Sequence, residues 1–216
     1  MGQYSKKGLY NGYKKNNKER EELDYYSTPT KEVENILETL GISFDGKTIL
    51  EPCVGGGHML QGIINYCNKN NQKPFKIIAT DVKDRNPSVQ NNNQRIHFSL
   101  GEQYDFLLDD YPINSADIII MNPPFSTIEP FVIRALEIAP VVIMLGRTQF
   151  VEAASRYENI FKEYPMTKIY QYVDRIQCYK NGDESIKSSS AQAYAWFIWD
   201  KNIKKNTTEF DWIKRK

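Results

Sequence analysis

Short apolar runs alternating with helix-length amphipathic stretches constrain the fold of this chain more than any other feature. Runs near residues 47–52, 75–81, 95–99, 116–121 and 140–146 have the length and branched-aliphatic content of buried strands. Between or after them the spacing predicts helices near 59–70, 101–110, 128–139 and 148–163. Such alternation needs a parallel sheet with helices packed on it, because parallel neighbours can be joined only by long crossovers. A further helix is predicted after Thr28, with Thr28 as N-cap, Pro29 at the first helical position, Val33, Ile36, Leu37 and Leu40 on one face, and Gly41 as the stop. In the last third Met166 to Val173, Arg175 to Tyr179 and Ala191 to Asp200 read as strands, the final pair as an antiparallel hairpin at the sheet edge. The polar, glycine- and serine-rich stretch 181–190 between them reads as a mobile loop.

The loop after the run Ala116 to Met121 is Asn122-Pro123-Pro124-Phe125. Two prolines fix φ and bar helix at the preceding residue, so the segment is expected to be extended and stiff where a strand ends. Its chemistry suits a planar amino group. The lone pair of such a nitrogen is delocalised, and it attacks an electrophile only when acceptors hold its two N–H bonds. The Asn122 side-chain carbonyl and the Pro123 backbone carbonyl are candidate acceptors, and Phe125 offers a face for stacking. The other reading of the same residues is an Asn-Pro turn with a core phenylalanine.

Upstream, Lys47 to Pro52 reads as a strand, followed by Cys53-Val54-Gly55-Gly56-Gly57-His58 and a helix. Glycines at such a turn let backbone approach a ligand closely, and amides at a helix start favour an anionic group. The strand Phe75 to Asp81 ends in an acid, where nucleotide-binding α/β sheets place a carboxylate for ribose hydroxyls. A third acid stands in Tyr104-Asp105-Phe106-Leu107. Each acid alone also reads as a solvated strand end. His58 reads as a structural loop residue, since the reaction asks for no imidazole.

With these residues in order, the chain resembles the S-adenosylmethionine-dependent amino-methyltransferases, most closely the N6-adenine DNA methyltransferases. The resemblance spans about Tyr25 to Lys201. It implies a Rossmann-like class I methyltransferase fold: α/β, a mostly parallel seven-stranded sheet with an antiparallel edge hairpin, and helices on both faces. It implies that Asn122, Pro123, Pro124 and Phe125 are the catalytic tetrapeptide. It also implies that Glu51, Pro52, Cys53, Gly55, Gly56 and Gly57 form the cofactor loop, with Glu51 facing the methionine ammonium. Asp81 is then the ribose acid, Asp105 and Phe106 the pair at the cofactor adenine, and Tyr26, Thr28 and Pro29 part of an element that closes over the methionine. By the same resemblance Arg175 to Tyr179 line the target-base pocket. Tyr179 stacks opposite Phe125 or is a core tyrosine; Arg147 contacts substrate phosphate or caps a carboxylate.

Composition agrees with one catalytic domain over residues 25–201, between a basic N-terminal tail, 1–24, and a basic C-terminal tail, 202–216. Residues 1–20 carry a net +5 and residues 201–216 a net +4, so the total of +1 leaves −8 for residues 21–200. Basic ends with aromatics suit phosphate binding, and equally suit solvated termini. Cys53, Cys67 and Cys178 have no paired spacing, which argues against a disulfide framework or a zinc site. No apolar run reaches the ~20 residues needed to span a membrane, so a cytoplasmic protein is expected. The expected reaction is methyl transfer to N6 of adenine in DNA. Two alternatives stand beside it: an amino group of RNA or of a protein glutamine as acceptor, and a non-catalytic nucleic-acid-binding subunit. Only about 16 residues follow Asp200, so target recognition falls to residues 148–164 and the 180–190 loop, or to a partner subunit.

Overall fold

A computed structural model describes residues 25–109, 111, 115–180, 182, 185 and 192–216. The N-terminal tail 1–24 and most of the 181–190 loop lie outside them. The strands are β1 Tyr26–Ser27, β2 Thr48–Glu51, β3 Lys76–Asp81, β4 Phe98–Gln103, β5 Ile118–Met121, β6 Val141–Arg147, β7 Lys168–Tyr172, β8 Tyr179–Lys180, β9 Tyr194–Asp200 and β10 Glu209–Ile213. The longer helices are α1 Thr30–Leu40, α2 His58–Lys69 and α3 Ile128–Ile138.

Eight strands form one sheet in the order β10-β7-β9-β6-β5-β2-β3-β4. Only β9 runs antiparallel to its neighbours; every other pairing is parallel. Side chains alternate between two cores, as the pleat requires. Ile49, Ile118, Ile120, Ile143 and Trp196 meet α1 and α2 through Val33, Ile36, Leu60 and Ile63. Leu50, Ile119, Met121, Met144 and Phe197 meet α3 through Val132, Ala135 and Leu136. All four β5 residues are buried because both faces are covered. Where α1 crosses α2, a Cβ on Gly62 would stand 2.6 Å from Val33 Cβ and 2.9 Å from the Thr30 carbonyl oxygen, so glycine permits the approach. Among the described residues no helix is long and apolar enough to cross a membrane.

The structure departs from the expectations at five places. The sheet has eight strands, since Glu209–Ile213, expected within a tail, pairs with β7 and buries Ile213. The antiparallel strand is interior: β9 sits between β6 and β7, and among the described residues no hairpin closes the edge. Arg175 to Tyr179 does not join the sheet; Tyr179 and Lys180 pair with Ser27 and Tyr26. The helix expected at 101–110 is replaced by β4 and a turn, where the Asp105 carboxylate accepts the Leu107 N–H at 2.9 Å and competes with helix formation. The helix expected at 148–163 is broken into a 3-10 turn, a single α turn and a π turn, with Ala153 at φ +117°. There the Arg156 guanidinium collects the carbonyls of Gln149, Phe150 and Glu152.

Candidate functional site

The chain leaves β2 toward β3 and β4 on one side, and leaves β5 toward β6 on the other, so the winding direction reverses between β2 and β5. The carboxyl ends of strands at such a switch point open a crevice. Asp81, Glu51 and Asn122 stand at or just past the ends of three adjacent strands, β3, β2 and β5. Glu51 and Asn122 line a recess there together with Cys53, Met59 and the Tyr25–Thr28 segment.

Asn122 is held rigidly. Its Nδ2 donates to the Tyr26 carbonyl at 2.9 Å and to Thr28 Oγ1 at 3.1 Å. A main-chain carbonyl only accepts, so the NH2 group must be on the β1 side, which leaves Oδ1 as the acceptor on the other side. This also explains why Thr28 is not the N-cap of α1: its hydroxyl is taken by Asn122, and the Pro29 carbonyl receives Glu32 N–H at 2.9 Å. Pro123 is buried, and Pro124 is extended (φ −55°, ψ 133°) with its carbonyl accepting Thr127 N–H at 3.0 Å. Phe125 is half-buried. Its ring lies 5.5 Å from Tyr26 and 6.2 Å from Tyr194, and the Arg147 guanidinium stands 3.9 Å over it. Arg147 is thus engaged with an aromatic face.

The glycine turn has the conformation its residues were expected to allow. Gly55 and Gly57 have φ of +52° and +91°, and α2 starts immediately after Gly57. Asp81 braces this turn, accepting Gly55 N–H at 2.9 Å and Lys83 N–H at 3.0 Å. Tyr25, which sequence reasoning passed over, covers it. The hydroxyl accepts Gly56 N–H at 2.7 Å, a Cβ on Gly55 would stand 2.1 Å from the ring, and the Arg85 guanidinium lies 4.7 Å over the ring. Burial raises the Tyr25 hydroxyl above its usual value in spite of that N–H and Arg85. The resemblance singled out Tyr26, with Thr28 and Pro29, and no sequence signal marked the adjoining Tyr25.

Glu51 is the electrostatic centre of the recess. It is 1% exposed, and Oε2 has no hydrogen-bond partner. Burial, and then the Asp81 charge, push its carboxyl well above the usual range against the opposing Leu60 N–H. The same burial, with Glu51 and Asp81, raises the Cys53 thiol. A buried, under-partnered acid beside a second acid lowers the energy of a cationic guest. An unpartnered Glu51 oxygen fits the cationic end of a ligand such as S-adenosylmethionine, whereas the Gly55, Gly56 and Gly57 amides are taken by Asp81, Tyr25 and the Val54 carbonyl, so the first two meet a ligand carboxylate only once released.

The remaining expected residues are scattered. Asp105 is half-exposed, whereas Phe106 is 2% exposed and packs against Phe131 and Tyr111, so its ring belongs to the core. Tyr179 is half-buried and paired with Ser27, next to the recess; Arg175 is exposed on the loop leading to it. Ser27 was also missed: 3% exposed and lining the recess, it has a hydroxyl without a partner.

Neither a protein-family model nor a curated protein matches the sequence. Solved structures do. A candidate RNA methyltransferase from Pyrococcus horikoshii matches at TM-score 0.56 and 18% identity, over 91% of this chain and 98% of that one. A type I restriction-modification system methyltransferase subunit from Streptococcus thermophilus matches at TM-score 0.61 and 12% identity, over 88% of this chain and 47% of that one. A candidate class I S-adenosylmethionine-dependent methyltransferase from Listeria monocytogenes matches at TM-score 0.60 and 12% identity, over 98% of this chain and 74% of that one. This chain spans about half the length of the restriction-modification subunit. At these identities the likeness is one of architecture, and this chain has the fold of structures described as S-adenosylmethionine-dependent methyltransferases.

Proposed function

We propose that the protein transfers a methyl group from S-adenosylmethionine to the exocyclic N6 amino group of adenine in DNA. The observation that carries the reading is the fixed orientation of Asn122, whose Nδ2 is spent on Tyr26 and Thr28 so that Oδ1 is its acceptor, on a residue lining the recess that holds a buried acid. Held beside Glu51, S-adenosylmethionine would supply a methyl carbon on a cationic sulfur, the C–S bond breaking as the N–C bond forms and the nitrogen then releasing its proton to solvent. The chain's own part is positioning and electrostatics. Asn122 Oδ1 and the Pro123 carbonyl take the two N–H bonds, drawing the lone pair out of the ring plane; the stiff prolines make this pre-organised. Phe125 presents its ring to the base, backed by Arg147. Glu51 would face the ammonium, the Gly55 and Gly56 amides, once released from Asp81 and Tyr25, would face the carboxylate, and the freed Asp81 would receive ribose hydroxyls. Adenine must leave the stack to reach such a recess, which favours single-stranded or distorted substrate. The catalytic domain is read as residues 25–213, since β10 belongs to the sheet.

RNA is the second reading, favoured by the Pyrococcus structure, which is described as a candidate RNA methyltransferase and 98% of which is covered by this chain. An acceptor panel of single-stranded DNA, duplex DNA, RNA and protein with labelled S-adenosylmethionine tests both. Label in DNA adenine supports the first reading, and label in RNA alone replaces it with the second.

A further inference from the structure

Strand β10 carries two exposed aromatics at the open edge of the sheet. Phe210 is 53% and Trp212 63% exposed, and their centroids lie 5.2 Å apart at 84°. Residues two apart share one strand face, so both rings point away from the face through which Ile213 enters the core beside α1. The strand is therefore anchored by Ile213 and by its pairing with β7, and the aromatics are not needed to hold it.

We propose that this outer face of β10 is a binding platform for single-stranded nucleic acid, with Phe210 and Trp212 stacking bases and the basic segment around them holding phosphates. Three observations select that occupant. Residues 201–216 carry a net +4 although residues 21–200 carry −8, so the rings sit in the one described region with a strong positive excess. Of its two acids, Glu209 is bridged by Lys168 at 3.1 Å and by Lys205, while exposed Lys214 and Arg215 follow Ile213, just beyond Trp212. Second, β10 runs parallel to β5, so its basic end emerges at the sheet edge that carries Asn122. That end is tied to α1: the Lys214 carbonyl accepts Asn35 Nδ2 at 2.6 Å, and Lys216 N–H donates to Glu32 at 3.1 Å. Four strand spacings of ~4.8 Å separate β10 from β5, about 19 Å, the length of about six stacked nucleotides at ~3.4 Å each. Third, a second copy seated on the same face would set positive segment against positive segment. The platform deepens the methyl-transfer reading and rests on its nucleic-acid acceptor, with the strand running from the recess to the edge.

Trp196 and Trp199 are 0% and 1% exposed, so a ligand stacking at the surface quenches Trp212 alone. Titration of the full chain with a twelve-residue oligothymidylate is expected to quench tryptophan emission, with affinity falling as salt rises. Inorganic polyphosphate binds without quenching. Trp212→Ala removes the quench and weakens oligonucleotide binding roughly 5- to 100-fold; Trp212→Phe keeps most of the affinity, and Lys214→Ala with Arg215→Ala flattens the salt dependence. No quench, unchanged affinity of Trp212→Ala, or a dimer that this change converts to monomer would overturn the platform. The quench is read in Asn122→Ala as well. Asn122→Ala is expected to keep the quench; in the parent, quenching without methyl transfer sinks the catalytic reading and leaves the platform, and methyl transfer without quenching does the reverse.

Discussion

Replacing Glu51 with Gln separates the two consequences of burying an acid in the recess, because they have opposite signs. In the free protein the carboxyl is raised well above the ordinary carboxylate value of 4.5, by burial first and then by Asp81. The folded chain therefore keeps a proton that the unfolded chain releases, and stability falls as pH climbs from about 4.5 through the raised value. Glu51→Gln keeps the shape and an acceptor for Leu60 N–H but cannot ionise. Its melting temperature should exceed that of the parent at alkaline pH, and the advantage should vanish as pH falls toward 4.5. Cofactor binding should change the other way. A hydrogen bond to a charged group is worth about 1.5–3 kcal/mol, so losing the pairing between Glu51 and an ammonium predicts roughly 10- to 150-fold weaker binding of S-adenosylmethionine. Calorimetry gives the affinity and thermal unfolding from pH 5 to 9 gives the stability. A variant that binds the cofactor as tightly as the parent, or that melts lower at high pH, would refute the reasoning.

Other perturbations test the surrounding structure. Tyr25→Phe deletes the hydroxyl at Gly56 N–H; differential scanning fluorimetry should show about 1 kcal/mol lost from the free protein, while the freed amide raises cofactor affinity several-fold by calorimetry. Gly62→Ala would gain about 1 kcal/mol from helix propensity alone, but Val33 and the Thr30 carbonyl block the new Cβ. Denaturant titration should therefore show a net loss of about 1–3 kcal/mol. Arg147→Ala, removing the guanidinium over Phe125, should raise KM for the acceptor with little change in cofactor affinity, and Arg147→Lys should restore part of the loss.

Much of the scaffold was legible because it follows from local periodicity. β2, β3, β5 and β6 lie within a residue or two of the expected runs, as do α2 and α3, and Gly41 adopts the left-handed conformation (φ 59°) expected of a helix stop. The glycine turn and the stiff Asn-Pro-Pro segment were readable for the same reason, since φ preferences are local. What the sequence hid depends on distant partners. Thr28 looks like a helix cap until Asn122, 94 residues away, takes its hydroxyl. Glu209–Ile213 looks like a tail because only Ile213 is buried and the remaining residues are exposed, as an edge strand allows. Phe106 follows an acid, yet its ring is claimed by Phe131 and Tyr111 in the core on one face of the sheet. Tyr25 carries no pattern at all; its place is set by the glycine backbone it covers.

The central claim is tested most directly by single-turnover transfer from labelled S-adenosylmethionine to adenine-containing single-stranded DNA, followed by nucleoside mass spectrometry, for the parent and Asn122→Ala. The account predicts labelled N6-methyldeoxyadenosine from the parent and a rate lower by about 10²–10³ in the variant. Methylation at any other atom, or a rate indifferent to the loss of Asn122, would contradict it.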